Sequence, residues 1–461
     1  MSRRLAARFV HASAPAGRGF ASVLDVPRAA SAGALVLAGA LPLLFLHRAY
    51  QPALNVAVGH TTVTAYLADF AVLAIVAAAV AVGLRDGFGP LRAGRPLWLG
   101  LALFLAWVGL EVLYGHHRSA AYATASHAVS ALKYGEYLLV APAIALLVRR
   151  RADLVALLWG LVLWTGAATV LGLAQFFGAD ILLKHFTGGR TSSFIGYDDY
   201  AALAAGVLLV GLVALTLPRL GLGERLGIAA LAAGGLGAIL SGALAAVLGL
   251  LTAAAVLAFV LWRNRPVERR RVLAAAAVVL VVTVGAVAIR GNDLSSFARF
   301  LGAKQHTQAK NVQTYSQRTL LAWIGFEIWK GQPLLGSGWL ASSEPATFEP
   351  YLPAAHRRFP TLSPLDFPAP SRPWGVQDAW IQAGADLGVV GFMLWLGAFA
   401  AAGWVAVRGL RGRLAAAPLA GLLGVVALCW LFTAQGFFAG IPLDGLAALV
   451  FGLAATRTVE A

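Results

Sequence analysis

The sequence predicts an all-α polytopic membrane protein with about 12 transmembrane helices and one large, partly helical extracytoplasmic loop. Two observations support this fold class. The 461 residues are 59% hydrophobic and only 12% charged, whereas roughly 25% of the residues of soluble proteins are charged. Apolar runs of about 18 or more residues recur through the chain, and they are interrupted by one long polar stretch, residues 291–378.

This pattern divides the chain into three parts. Residues 1–290 form an N-terminal membrane bundle of about nine spans, residues 291–378 the large loop, and residues 379–461 the C-terminal spans. The predicted spans are residues 30–46, 67–84, 97–114, 123–148, 154–177, 200–217, 226–240, 242–262, 272–289, 389–407, 414–433 and 437–454. Arginines flank both ends of residues 226–262, which predicts two crossings joined by a tight turn near Ser241-Gly242.

The arginines outside the large loop predict the orientation. Five of them lie in a basic tail, residues 1–29, before the first span; a signal peptide cleaved near Ala38-Gly39-Ala40 is the alternative interpretation. Others fall in alternate connections: Arg85, Arg92, Arg95; Arg149, Arg150, Arg151; Arg219, Arg225; Arg263, Arg265, Arg269, Arg270, Arg271; Arg408, Arg411, Arg413. This positive-inside pattern places both termini in the cytoplasm and the loop outside. It also accounts for most of the +16 formal charge, so no nucleic-acid partner is expected.

The large loop is the predicted functional region, because long loops on a rigid scaffold commonly carry function. Residues 315–328 have helical spacing, whereas residues 345–373 carry eight prolines and predict irregular coil. The single cysteine, Cys429, lies in a span, so packing must hold the loop together. The basic and tryptophan side chains of the large loop include Arg299, Lys304, Lys310, Arg318, Lys330, Arg357, Arg358, Arg372, Trp323, Trp329, Trp339 and Trp374.

Two arginines and one aspartate are candidates for chemistry. Arg190, in a short outer connection where the charge pattern disfavours arginine, suits phosphate binding through its planar guanidinium. A headgroup anchor or a salt bridge to Asp198 or Asp199 is the alternative. Arg318 precedes an amphipathic helix and could equally be a solvated side chain. Asp378 is a candidate general base near the outer membrane face.

Ionisable residues within the spans form a further group. Glu111, Lys133 and Glu136 are functional candidates because charges in lipid are costly, although Lys133 and Glu136, one helical turn apart, could simply pair with each other. The sequence has no Walker loop and no zinc-ligand spacing, so neither a metal nor a cofactor is expected.

Three segments resemble the O-antigen ligase and polymerase superfamily of integral membrane glycan transferases. The first is Gly188-Gly189-Arg190-Thr191-Ser192-Ser193-Phe194, before a span. The second has Arg318 and Trp323 in a helix that is followed by Pro333-Leu334-Leu335-Gly336-Ser337-Gly338. The third is Gln377-Asp378, followed by Gly388 and Gly391. The resemblance implies an inner-membrane enzyme with the loop in the periplasm. Its implied donor is an undecaprenyl-diphosphate-linked glycan, bound by Arg190 and Arg318, and its implied acceptor is a saccharide or lipid A core.

The chain departs from the family at the expected base. Gln377 occupies the position where the family ligases have histidine, and a glutamine cannot take up a proton at neutral pH. The sequence leaves several explanations open: Asp378 replaces the base, His356 reaches the site, the chain is polymerase-like, or it is inactive. The alternative functions are therefore a lipid-linked glycan transporter or flippase, and a non-catalytic scaffold of a polysaccharide export complex.

Overall fold

The computed structural model describes residues 30–58, 61–182, 189–264, 268–302, 312, 314–409, 415–432 and 441–457. Several features discussed above lie outside the described residues: the basic tail at residues 1–29, Gly188, Lys304, Lys310, Arg265, Arg411 and Arg413. Within the described ranges the chain is overwhelmingly helical, with one two-stranded hairpin. The predicted all-α polytopic class is thus confirmed.

The elements are numbered in chain order. The helices are α1 Ala32–Ala40, α2 Leu67–Asp86, α3 Arg95–Arg118, α4 Thr124–Leu138, α5 Val140–Leu147, α6 Arg151–Phe176, α7 Tyr197–Thr216, α8 Glu224–Ser241, α9 Leu244–Asn264, α10 Arg269–Ile289, α11 Gly291–Leu301, α12 Thr314–Gly331, α13 Pro345–Phe348, α14 Leu352–Arg358, α15 Ala379–Gly409, α16 Ala416–Leu431 and α17 Ile441–Ala455. The hairpin strands are β1 Ala53–Val58 and β2 Thr61–Tyr66, paired antiparallel.

Nine helical segments of the described chain are long and apolar enough to cross a membrane. Three shorter apolar helical segments, Ala32–Phe45, Ala416–Leu431 and Pro442–Ala455, occupy the positions of the first and the last two predicted spans. The predicted turn between α8 and α9 is present, and Gly242 makes it with φ of 59°, a left-handed conformation that glycine adopts without steric cost. α7 is the most buried of the nine segments and forms the centre of the bundle.

The structure differs from the sequence-based expectation in three places. The fourth predicted span is present as one segment, Thr124–Leu147, but a break at Leu139 divides it into α4 and α5. The break arises because Pro142 has no N–H to donate to the carbonyl of Leu138, where α4 ends. The β1–β2 hairpin between α1 and α2 was not expected. Residues 345–373 are not simply coil, since they contain α13 and α14.

The large loop has its own apolar core, which explains how it is ordered without a disulfide. Side chains from α12, α13, α14 and the following coil form it: Leu320, Ile324, Ile328, Phe348, Ala355, Leu362 and Phe367, with Ala385 of α15. The predicted helix at residues 315–328 is confirmed as α12, whose buried face includes Leu320 and Ile324. We call the end of the bundle on which this loop sits the loop face.

A kink in α15 fastens the loop to the bundle. At Gly388 the backbone has φ of 63° and ψ of −173°, so the helical hydrogen bonds around it are interrupted. The loop segment 333–338 replaces them: Ser337 N donates to Ala385 O at 2.9 Å, Gly338 N to Asp386 O at 2.9 Å, and Val389 N to Pro333 O at 2.8 Å. The two glycine-containing segments singled out in the sequence therefore dock onto each other, and α15 begins ten residues before the predicted span at 389.

Candidate functional site

A cavity at the loop face brings together the two arginines that the sequence singled out. We call it the arginine cavity; its volume is about 160 Å³. It is lined by Arg190, Asp198, Ala243, Leu244, Ala245, Leu248, Arg290, Thr314, Tyr315, Arg318 and Trp430. The guanidinium groups lie at the boundary between the bundle and the loop, while one wall, from α9 and α16, is apolar.

Arg190 is held in a fixed orientation although it lies in a connection. Its side chain is 8% exposed; Nε donates to Ser241 O at 2.6 Å and Nη2 to Asp198 Oδ1 at 2.9 Å. The guanidinium also lies 4.9 Å from the centre of the Tyr197 ring, within cation–π range. Gly242 leaves room for it, because a Cβ there would lie 3.3 Å from Arg190 Cγ.

Arg318 meets Arg190 at a single carboxylate. It projects from the second turn of α12, and its Nη2 donates to Asp198 Oδ2 at 3.0 Å. Asp198 lies in the first turn of the central helix α7, where a negative charge is favoured by the helix dipole. The salt bridge from Arg190 to Asp198 that the sequence offered as an alternative is therefore present, and Arg318 shares it.

Arg290 is a third cationic residue of the cavity, and the sequence analysis missed it. It is 4% exposed, pairs with Asp293 at 2.9 Å and lies 5.1 Å from the Tyr315 ring centre. A signal was available: Arg290 follows α10 at the loop face, where the charge pattern disfavours arginine for the same reason as at Arg190. Buried Nε atoms of Arg290 and Arg318 have no hydrogen-bond partner.

The arginine cavity suits an anionic group attached to an apolar chain. Three guanidiniums carry five N–H donors each, more than the carboxylates of Asp198 and Asp293 accept. Unpaired buried donors are costly unless a ligand satisfies them. The apolar wall beside them is where a lipid chain would lie, so the cavity has the two surfaces that an amphiphilic phosphate ester requires.

Asp378 lies directly before α15 and caps that helix. Its Oδ1 accepts hydrogen bonds from Trp380 N and Ile381 N, both at 3.0 Å. Partial burial raises the pKa of the Asp378 carboxyl, and these two N–H groups oppose the rise. Both bonds use Oδ1, which leaves Oδ2 available to accept a proton.

Gln377 and His356 occupy different environments. Gln377 is buried, with 7% of its surface exposed, next to Asp378 at the end of the loop. His356, at the end of α14, is exposed, and its ring stacks on Phe367 with 3.8 Å between centroids. None of Asp378, Gln377 and His356 is among the residues that line the arginine cavity.

Of the charged residues within the spans, Lys133 has structural partners. Lys133 forms its salt bridge not with Glu136 but with Asp69 of α2, at 2.7 Å, and also donates to Thr64 O of β2 at 2.7 Å. Lys133 therefore ties α4 to α2 and to the hairpin. Glu111 is buried and one of its carboxyl oxygens has no hydrogen-bond partner. Over the described ranges, no group of three or more His, Cys, Asp or Glu side chains is placed to hold a metal ion.

One segment of the chain matches a known protein family. Residues 228–396, less than half of the chain, match the family model described as O-antigen ligase. This region contains Arg290, Arg318 and Asp378 but not Arg190, and it ends within α15. No curated protein matches the chain. The match supports the resemblance to the O-antigen ligase superfamily and indicates a glycan-processing protein of the ligase or polymerase type that crosses the inner membrane several times.

Proposed function

We propose that this chain transfers a glycan from undecaprenyl diphosphate to a saccharide or lipid A core acceptor at the outer face of the inner membrane. The observation that supports this most is the arginine cavity, in which Arg190 and Arg318 share the Asp198 carboxylate and Arg290 lies beside them, next to an apolar wall. A polyprenyl diphosphate has the matching chemistry, an anionic head on a lipid chain. The proposal rests on the family match for the reaction class and on this cavity for the donor.

Arginine suits phosphate binding better than lysine, whose ammonium group is a point charge. Each guanidinium can form two parallel hydrogen bonds to phosphate oxygens, and in the cavity these bonds would replace those to Asp198. As the bond between the anomeric carbon and the phosphate oxygen breaks, negative charge accumulates on the diphosphate. Fixed donors stabilise that charge without reorganisation, and losing one costs on the order of 3 kcal/mol. In this proposal the arginines supply the positive charge, and the reaction is metal-independent.

Asp378 would act as general base in place of the histidine that the family ligases have. An acceptor hydroxyl gives its proton to Asp378 Oδ2, and its oxygen forms the new bond to the anomeric carbon. The electron pair of the broken bond leaves with undecaprenyl diphosphate. A single direct displacement of this kind inverts the anomeric configuration.

The test uses cells in which the chromosomal copy of this chain is deleted and a plasmid supplies the wild type, Arg318→Lys or Arg299→Lys. Arg299 is a matched control because it is exposed on α11, where it contacts Ser296. We expect the deletion and Arg318→Lys to accumulate lipid-linked glycan and lose transferred glycan, with Arg299→Lys normal. Lipid-linked glycan trapped on the cytoplasmic leaflet would instead indicate the transporter, and unchanged product in the deletion strain would contradict both functions.

A further inference from the structure

A second cavity at the loop face lies apart from the arginine cavity, and its lining is mainly polar. We call it the polar cavity; its volume is about 280 Å³. The residues that matter for its chemistry are Arg118, Tyr122, Gln332, Ser337, Glu344 and Tyr351. It is formed where the end of α3 meets the end of α12 and the loop segment 337–351.

The polar cavity is built from anchored parts. Glu344 accepts hydrogen bonds from His127 Nε2 at 2.7 Å and from Ala123 N at 2.9 Å. Tyr122 donates to Trp339 O at 2.7 Å, and Ser337 is fixed to Ala385 of α15 by its N–H and its hydroxyl. By contrast, Gln332 Oε1 is buried and has no hydrogen-bond partner. A ligand that donates a hydrogen bond would satisfy it.

This lining has the chemistry that recognises a sugar. It combines an amide, a hydroxyl, a guanidinium and a carboxylate, which bind hydroxyl groups as donors and acceptors, with the Tyr351 ring, which offers an apolar face. Its volume of about 280 Å³ is just below the roughly 300–1,000 Å³ of small-molecule pockets. A short saccharide fits that volume and polarity better than a lipid chain does.

The two cavities lie at opposite ends of α12, and the segment leading to Asp378 lies beside its middle. Arg318 and Gly325 are seven residues apart and therefore share a helix face to within about 20°, and Gln332 follows at the same spacing just past the helix end. A methyl group at Gly325 would lie 2.7 Å from Val376 Cγ2, which puts the segment leading to Asp378 beside the middle of α12. With a rise of about 1.5 Å per residue, each interval is about 10 Å.

We propose that the polar cavity binds the saccharide acceptor. This inference rests on the proposed glycan transfer and adds the place of the second substrate. The donor's reacting carbon is attached to the diphosphate in the arginine cavity, at one end of α12. Asp378 lies beside the middle of α12. The acceptor hydroxyl must reach Asp378 from the other side, which is where the polar cavity lies.

The test is equilibrium binding to the purified full chain in lipid nanodiscs. The probes are undecaprenyl diphosphate, the intact lipid-linked glycan from the same cells, and the lipid-free glycan released from it by mild acid. We expect Gln332→Leu, which keeps the side-chain volume and removes the amide, to weaken binding of the lipid-free glycan about tenfold. Tyr351→Phe, a smaller change, should weaken it in the same direction and serves if Gln332→Leu does not fold. Asn292→Leu, at an exposed amide on α11, should have no effect.

The outcomes separate this inference from the proposed function. Undecaprenyl diphosphate should bind wild type and Gln332→Leu equally and should bind Arg318→Lys more weakly. If it does not bind the wild type, the donor site and the proposed function are wrong. If it binds but neither cavity variant changes the affinity for lipid-free glycan, the acceptor site is wrong. If Gln332→Leu weakened binding of the intact lipid-linked glycan as much as binding of the lipid-free glycan, the cavity would hold the donor's own sugars. That result would also overturn the acceptor assignment.

Discussion

Asp378 has two roles in this account, helix cap and general base, and one substitution separates them. Asparagine caps helices about as well as aspartate does, so Asp378→Asn should fold with wild-type stability while losing the base. We expect transfer to fall by about 10²-fold or more, measured in cells at equal protein level. Full activity of this variant would remove Asp378 from the mechanism and make His356 the next candidate; if His356→Ala were also silent, the scaffold or transporter would be favoured.

Adding Gln377→His to Asp378→Asn recreates the family's histidine and should restore part of the activity.

The pH dependence of transfer follows from the same carboxyl. Burial raises the pKa of Asp378, and only the ionised form accepts the acceptor's proton. The rate should therefore fall as the pH decreases through that raised pKa, at a higher pH than the roughly 3.9 of an ordinary aspartate. The measurement is a pH–rate profile of the reconstituted chain, in which the acidic limb should be absent from the residual activity of Asp378→Asn.

Asp198 occupies the place between the guanidiniums that the proposal gives to a diphosphate. Removing its charge leaves Arg190 and Arg318 without their shared partner, and this lowers the stability of the empty protein. A bound diphosphate would supply the missing charge. Undecaprenyl diphosphate should therefore raise the Tm of Asp198→Asn by more than it raises that of the wild type. Glu349→Gln, at an exposed acid on the loop, is the control; an equal shift in Asp198→Asn and wild type would show that the ligand does not contact this pair.

At the scale of the element, the kink in α15 determines how the loop docks. Gly388 has positive φ, and a Cβ there would clash with Leu334 O, so Gly388→Ala combines backbone strain with a steric conflict. We expect a loss of at least about 1–3 kcal/mol, measured by denaturation in detergent. Gly397 lies in the same helix with nothing within 4 Å of a Cβ, and Gly397→Ala should be nearly neutral. Similar stabilities of the two variants would show that the kink does not hold the loop.

The elements also show what the sequence could predict. Hydrophobic runs located the spans, and the flanking arginines required the turn at Gly242. Helical spacing predicted α12, but α15 begins well before the apolar run at 389, because Ala379 to Leu387 is buried against the loop rather than in a continuous hydrophobic stretch. Pro142 could have predicted the break at Leu139. The β1–β2 hairpin could not be predicted, because Lys133, which is distant in sequence, holds it in place. Arg190, Arg318 and Asp378 could be chosen by motif, but no local pattern shows that Asp198 joins the two arginines.

At the scale of the whole molecule, the arginine alternation predicts that the loop face is outside the cell membrane. In a Cys429→Ser background, Ser371→Cys on the exposed loop should react with a membrane-impermeant thiol reagent in intact spheroplasts. Gly89→Cys, exposed between α2 and α3 with nothing within 4 Å of its Cβ, should react only after lysis. Ser342 is unsuitable as a loop probe because it is buried, with 2% exposed. The reverse labelling pattern would overturn the orientation and with it the periplasmic reaction.

In the proposed reaction, the arginine cavity holds the diphosphate of a glycan donor while that glycan is transferred. The most direct test is transfer by the purified chain in proteoliposomes that contain only lipid-linked glycan and acceptor, with released undecaprenyl diphosphate as the readout. We expect release together with longer or ligated glycan in the wild type and in Arg299→Lys, and about 10²-fold slower release in Arg318→Lys and Arg190→Lys. Release at the wild-type rate from both cavity variants, or no release from the wild type, would contradict this proposal.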